Sequence, residues 1–403
     1  MQTPVQTDKD RGQPGYLQLF RDMYKQNIRK YSMVIALVFI MLLFQILTDG
    51  ILLRPLNITN LVLQNSYILI LAIGMMLVII TGHIDLSVGS VAAFVGAVSA
   101  MMIIENDMPI FAAVVLSLLL GAVIGAWQGF WIAYVKIPAF IVTLAGMLLF
   151  RGLTMIVLEG KSIAPFPISF QRMASGFIPD WLNGGAFHLT TIAVGIVASV
   201  IYIVYQLQQR NMQKKFQFDI QGKGLFAAKV FFIIAIINLF TYILATYEGI
   251  PLILITLFVL IAGYTFVMKK TVAGRRIYAI GGNEKAAELS GVKTKRLTFM
   301  VFVNMGVLAA LSGLIFAARL NAATPKAGNL FELDAIAACF IGGASAYGGI
   351  GTIGGAIIGG LVMGVMNNGM SLLGLGIDWQ QAIKGLVLLI AVAFDIYNKN
   401  KVS

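Results

Sequence analysis

From Ile110 to Tyr134 the chain carries no charged side chain. A helix needs about 20 apolar residues to cross a bilayer, so this stretch alone is long enough to span one. Comparable apolar runs recur at 31–48, 61–81, 86–104, 140–158, 188–205, 225–245, 251–268, 297–316, 335–346, 353–373 and 382–396. Only 11% of the 403 residues are charged, against about 25% in a soluble domain. Such a chain cannot coat itself with polar surface, and its mean hydropathy of +0.88 agrees. The pattern predicts an all-α polytopic membrane protein of about 10–12 transmembrane helices, with Gly-rich broken or re-entrant segments. The run 335–346 is short for a crossing and reads as a half-span.

The net charge of +12 would point to nucleic acid in a soluble protein. In a membrane protein the positive-inside rule accounts for it, and no nucleic-acid partner is expected. Lys and Arg gather in the first thirty residues, around Arg210, Lys214, Lys215 and Lys223, through 269–296, and at Lys399 and Lys401. Those segments are assigned to the cytoplasm, which puts both termini inside. The expected division is a cytoplasmic tail at 1–30, a transmembrane domain at 31–398 and a cytoplasmic end at 399–403. Within the domain, 159–187 becomes an outside loop and 269–296 a cytoplasmic one. The tail lacks the short basic start and apolar core of a cleavable signal, and an amphipathic helix is expected around Tyr16 to Tyr24. Pro165, Pro167, Phe177, Pro179 and Trp181 give 159–187 the look of an ordered surface. One cysteine and two histidines leave no disulfide framework or metal cluster to build.

Two Gly-rich breaks occupy comparable places in the two halves. One is Thr81-Gly82-His83-Ile84-Asp85-Leu86-Ser87-Val88-Gly89-Ser90; the other runs from Gly342-Gly343 to Gly354-Gly355. Paired breaks of this kind point to a transport pathway between repeats. Gly349-Ile350-Gly351-Thr352-Ile353-Gly354 fits the dinucleotide fingerprint only as letters, because no soluble strand precedes it. Small-residue spacing at Gly121, Gly125 and Gly129, and at Gly355, Gly359, Gly360 and Gly364, is first of all helix packing. Gly160-Lys161-Ser162 lacks the first glycine of a phosphate loop, with Met155 in its place, so the chain has no ATPase of its own. Asp85 and Ser87 either cap the next span or line the pathway. Arg151 lies inside a span and either snorkels or pairs with an acid. Asn65, Asn304, Asn367 and Asn368 sit in apolar spans as interhelical hydrogen bonders or as a polar pathway wall. The sequon at Asn57 is assigned nothing.

Between two spans stands a short polar helix. Asn283 is placed to cap it and Gly291 to end it in the left-handed conformation. Glu284 suits the positive end of the helix dipole. The segment Gly282-Asn283-Glu284-Lys285-Ala286-Ala287-Glu288-Leu289-Ser290-Gly291 is either an ordinary basic-loop turn or a handle for a soluble partner, and its defined caps favour the handle.

The run Thr81 to Ser90 resembles a family pattern written G-G-I-D-L-S-V-G-S, with His83 where the commonest form has Gly. Gly281 to Gly291 resembles its G-G-N-x-x-A-A-x-x-S-G loop. Glu332-Leu333-Asp334-Ala335-Ile336-Ala337-Ala338, then Gly342-Gly343, then Asn367-Asn368-Gly369, resembles its C-terminal block. The family is that of permeases in bacterial ABC importers of monosaccharides, and the extra length at 207–247 is most similar to its xylose or multiple-sugar branch. The resemblance implies a homodimer in the inner membrane, bound to an ABC ATPase subunit below and a periplasmic sugar-binding protein above. ATP and Mg would sit on the ATPase, with no cofactor in this chain, and the polar helix would be the element docking into it. Ala287→Arg, or a Glu284/Glu288 double change, is then expected to uncouple transport.

Two other transport classes and an enzyme are compatible with an apolar chain of this kind. An ion-coupled secondary transporter needs buried acids or histidines at mid-depth, and most acids here lie near span ends. An ABC permease for an amino acid or another small polar solute is the other alternative, since related permeases carry such solutes. An intramembrane enzyme needs a clustered nucleophile and base, which the residue inventory does not offer.

Overall fold

The computed structural model describes residues 33–185, 187–216 and 222–400. The tail at 1–30, with its expected helix at Tyr16 to Tyr24, lies outside the described residues. Fifteen helices follow in order. They are α1 (Met33–Leu47), α2 (Pro55–Ile80), α3 (Val88–Ala100, continued as a π-turn over Met101–Glu105), α4 (Ile110–Ala133) and α5 (Ala139–Val157). Next come α6 (Ile168–Ser175), α7 (Leu189–Lys215), α8 (Lys223–Ala245), α9 (Leu252–Lys270), α10 (Val272–Gly282) and α11 (Glu284–Leu289). The last are α12 (Thr294–Leu320), α13 (Phe331–Ile341), α14 (Ile353–Leu372) and α15 (Ile377–Asn400). Among the described residues 9 helices are long and apolar enough to cross a membrane. With α1, the short α13 and α15 they correspond one to one to the apolar runs of the sequence. There is no strand among the described residues, only isolated bridges at Ile163–Ala323 and Phe177–Pro251.

Prolines punctuate the crossings. Pro55 opens α2, while Pro109, Pro138 and Pro251 sit at the N-caps of α4, α5 and α9. There the missing N–H costs nothing, because the first turn has no partner for it. α2 is the axis of the bundle, buried along most of its length and flanked by α12, α14, α13 and α9. In lipid, apolar contact alone gives no preference for a helix over a lipid tail, so close backbone approach must hold such a bundle together. The glycine rows supply it. A methyl on Gly125 of α4 would lie 2.3 Å from the Phe302 carbonyl oxygen of α12, and one on Gly359 of α14 would lie 1.9 Å from that of Ala338 in α13. α7 and α8 pack on each other and touch little else.

The bundle has one strongly basic end. It gathers Lys136, Lys269, Lys270, Arg275, Arg276, Lys285, Lys293, Lys295 and Arg296. The opposite end is fixed by the bonds His188 N–H to Ala245 O (3.0 Å) and Ile178 N–H to Ile250 O (3.0 Å). It carries Asp49, Glu105, Asp107, Glu159, Asp180 and Glu248. The loop 159–187 at this end is built: Phe166 stacks on buried Phe170 of α6. The Asp180 carboxylate accepts from the backbone of Gly184, Thr190 and Leu182, which holds it well below the usual carboxylate range.

Several boundaries move from those the sequence predicts, α2 starting at Pro55 and α7 running on to Lys215 among them. The half-span begins at Phe331 rather than Ala335, because Glu332 and Asp334 fit the first turn of a helix. α15 continues to Asn400, past the expected domain end at 398. The basic loop 269–296 holds a second helix, α10, before the expected one.

Candidate functional site at the basic end

α11 has the caps its sequence announces. Asn283 is extended (φ −161°) and its Oδ1 accepts from Ala286 N–H at 3.0 Å. At the other end Gly291 is left-handed (φ 82°). Val292 N–H reaches Ala287 O at 3.0 Å and Gly291 N–H reaches Glu288 O at 2.9 Å, the paired bonds of a Schellman stop. Only Ala287 is buried; Leu289, an apolar residue in a polar loop, is 91% exposed. α11 therefore shows nearly its whole surface, and one large apolar side chain, to whatever lies beyond the basic end.

The base of this element is joined to both Gly-rich breaks. α10 delivers Gly281 against the end of α2, where a methyl would lie 1.7 Å from Ile80 O and 2.5 Å from Gly349 N. Ile80 O also accepts from Gly349 N–H at 2.9 Å. Gly348 packs against Gly82, and the Tyr278 hydroxyl of α10 donates to Gly351 O at 2.7 Å. Three segments distant in sequence thus meet backbone to backbone beside α11. A fourth contact is the ion pair of Lys136, in the α4–α5 turn, with Glu284 at 2.9 Å. The Lys136 ammonium holds the Glu284 carboxyl below its usual range, so that carboxyl is charged at neutral pH. Between these parts lies a cavity of about 360 Å³, lined by Gly82, His83, Lys136, Phe140, Glu284 and Thr298 among others. Burial pushes the His83 imidazole below its ordinary value, so it stays neutral.

From this junction the first break climbs into the bundle. Ser87 donates to Asp85 from its backbone N–H (2.8 Å) and its hydroxyl (2.6 Å), and shares hydrogen bonds with Gln128 of α4. Asp85 is fully enclosed and organises the turn into α3. Just beyond, Gly89 touches the start of α13: a methyl there would lie 2.3 Å from Gly328 O and 2.5 Å from a Glu332 carboxylate oxygen. The N-termini of α3 and α13 therefore abut inside the bundle. Among the described residues Arg151 of α5 has no acid in ion-pair contact; it donates to Ala327 O (2.6 Å) and Gly328 O (3.2 Å) above that meeting point.

The six polar candidates of the spans do not converge. Asp85 and Ser87 share one cluster. Asn368 and Asn57 exchange amide bonds of 2.9 and 3.1 Å, tying α14 to α2 and burying the sequon residue. Asn65 donates back to Leu61 O at 2.8 Å under Gly364. Asn304 accepts from the Tyr264 hydroxyl, linking α12 to α9. Asn367 lies on α14 toward Asp334, which pairs with Lys384 of α15 at 3.0 Å. Gln128, Lys136 and Tyr278 complete these clusters, and only their polarity within or beside apolar runs marked them.

A family model described as "Branched-chain amino acid transport system / permease component" matches residues 57–392. The chain is 39% identical over 375 residues to the xylose transport system permease protein XylH of Haemophilus influenzae, covering 93% of this chain and 98% of that one. It is 36% identical over 382 residues to XylH of Escherichia coli, covering 95% of each. It is 35% identical over 368 residues to the ribose import permease protein RbsC of Bacillus subtilis, covering 91% of this chain and 93% of that one. No solved structure matches it.

Proposed function

The chain belongs to this family of transport-system permease components, and from that premise we propose that it is the membrane subunit of an ATP-driven importer of a monosaccharide. It is a multi-pass membrane protein, a transport subunit whose most similar relatives above carry the names of xylose and ribose systems. Pentose import at the bacterial inner membrane follows as the reading. The basic end faces the cytoplasm, by the positive-inside rule. On the same reading two copies pair, an ATPase subunit with its ATP and Mg docks below, and a sugar-binding protein delivers from above.

The observation that carries the coupling role is α11. It is capped at both ends, exposed on nearly every face, and follows directly on Gly281 of α10, which packs where both broken segments touch. ATPase closure would push on α11. Gly281 would pass that push to the end of α2 and to the loop at Gly348–Gly349, and Glu284 would pass it through Lys136 to α5. The full span α3 and the short α13, whose N-termini abut inside the bundle, can then shift relative to one another without breaking a continuous helix.

Ala287 is buried, so arginine there would displace α11 itself as well as any partner. The cleaner change is Leu289→Asp, which alters a side chain the fold does not use. We expect it to weaken ATPase association at least about tenfold, the effect of losing one interface hot spot. The permease's own melting temperature should stay unchanged. Co-purification with the neighbouring ATPase reads the first quantity and a thermal shift the second; undiminished association would remove α11 from the docking surface. Sugar-stimulated ATP hydrolysis by the full complex in lipid, tested with pentoses, hexoses and leucine, reads the substrate class. Stimulation by leucine instead of a sugar would favour the branched-chain amino acid alternative that the family's description carries.

A further inference from the structure

A second cavity opens at the end opposite α11, and nothing above uses it. It measures about 910 Å³ and is lined by Arg151 and Met155 of α5, Ser162, and Thr324, Lys326 and Asn329 of the loop before α13, among others. Resting on the importer reading above, we infer that this cavity is the outer receiving site for a neutral monosaccharide, with Arg151 as its floor.

Its volume falls within the roughly 300–1,000 Å³ of small-molecule pockets. Its chemistry suits a polyol. A guanidinium, an ammonium, an amide and two hydroxyls line it, with no carboxylate among the described residues that do. These groups offer many donors to ring and hydroxyl oxygens, while Met155 and Ile377 supply apolar surface for a sugar's C–H faces. The Arg151 fork has five N–H donors. Its bonds to Ala327 O and Gly328 O occupy only part of that set, which leaves donors for a ligand.

The position is as informative as the lining. Gly328 O, held by Arg151, is the atom that packs on Gly89, where α3 begins beside α13. Arg151 therefore stands between the cavity and the point where the starts of α3 and α13 meet. A sugar oxygen that competes for its N–H groups would loosen the contact that closes the route below. A long polar side chain with a rigid donor fork fits that task better than a lysine would.

The chain makes the test simple, because its one cysteine, Cys339, is fully buried and silent to a membrane-impermeant maleimide. Ser162→Cys and Asn329→Cys place a thiol on the cavity wall at exposed positions, and Trp181→Cys places one at the same end outside it. Each is labelled in the full complex in lipid, with xylose, ribose, leucine, acetate or an osmolyte of equal osmolarity. At twice the dissociation constant a sugar should slow labelling at both cavity positions about threefold, as 1 + [L]/Kd, and leave Trp181→Cys unchanged. Arg151→Lys in the Ser162→Cys background should keep the fold and raise the protecting concentration about tenfold, since one point charge replaces a fork of charged donors. Equal labelling with and without sugar overturns the assignment. So does protection by leucine or acetate alone. Sugar-stimulated ATP hydrolysis by the same complex keeps the two readings apart: stimulation without protection removes this site only, and protection without stimulation keeps the site while the ATP-driven reading fails.

Discussion

Gly281→Ala is expected to abolish transport while its neighbour Gly282→Ala leaves transport near the wild-type level. A methyl at Gly281 would sit 1.7 Å from Ile80 O and 2.5 Å from Gly349 N. Both are backbone atoms, already bonded to each other at 2.9 Å, so neither can swing aside like a side-chain tip. The methyl must pry α10 away from α2 and from the second break together. Overpacking of this kind costs about 1–3 kcal/mol, and rigid walls on two sides place it at the upper end. The functional loss should exceed the loss of stability, because the disturbed contact is also the route from α11 to the breaks. At Gly282 a methyl meets nothing within 4 Å. Uptake by reconstituted complexes and the melting temperature of the purified permease check both variants. A Gly281→Ala protein that transports at the wild-type rate would disprove the junction.

Asp334→Ala should cost more stability than any other single polar deletion in the bundle. Lys384 reaches Asp334 with distances of 3.0 and 3.2 Å to its two oxygens, and the carboxylate is almost wholly enclosed. α15 touches few elements besides α13, and this pair is its polar anchor. Removing the acid leaves the partly buried Lys384 ammonium without its partner, a loss that approaches the ~3–5 kcal/mol of a buried pair. Removing both charges should restore most of it, so Asp334→Leu with Lys384→Met is expected to be more stable than Asp334→Ala alone. Unfolding in mild detergent with increasing denaturant measures all three. Additive losses in the double variant would show that the two charges do not act as a pair.

The crossings were legible because hydropathy is local: each run declares itself without reference to its neighbours. The caps of α11 were legible for the same reason, Asn283 and Gly291 acting within one turn of their own position. What pairs with what was not. Ser87 with Gln128, Asn57 with Asn368, Asp334 with Lys384 and Gly281 with Ile80 are contacts between segments far apart in sequence. Residue type said that each polar group in a span needs a partner, and nothing said which. The six polar candidates were read either as caps and interhelical bonders or as a pathway wall, and they divide among separate local contacts. α10 was missed because its basic residues, Arg275 and Arg276, made a helix look like loop. The two breaks were visible as glycines; that they touch each other, and touch Gly281, appears only in the fold.

α7 and α8 form a pair held mainly by its own contacts. Asn238 of α8 bonds Ser199 of α7 at 2.8 Å, and Gly195 makes room for Thr241. Only Leu244 and Ala245 of α8 are fully buried, and about half of its side chains are exposed. A surface that answers only to lipid constrains hydropathy and not shape. This hairpin is therefore where the lineage can drift fastest: its outer positions should exchange freely among Leu, Ile, Val and Phe, while Gly195, Ser199 and Asn238 stay fixed. Descent will be easiest to trace there and function hardest.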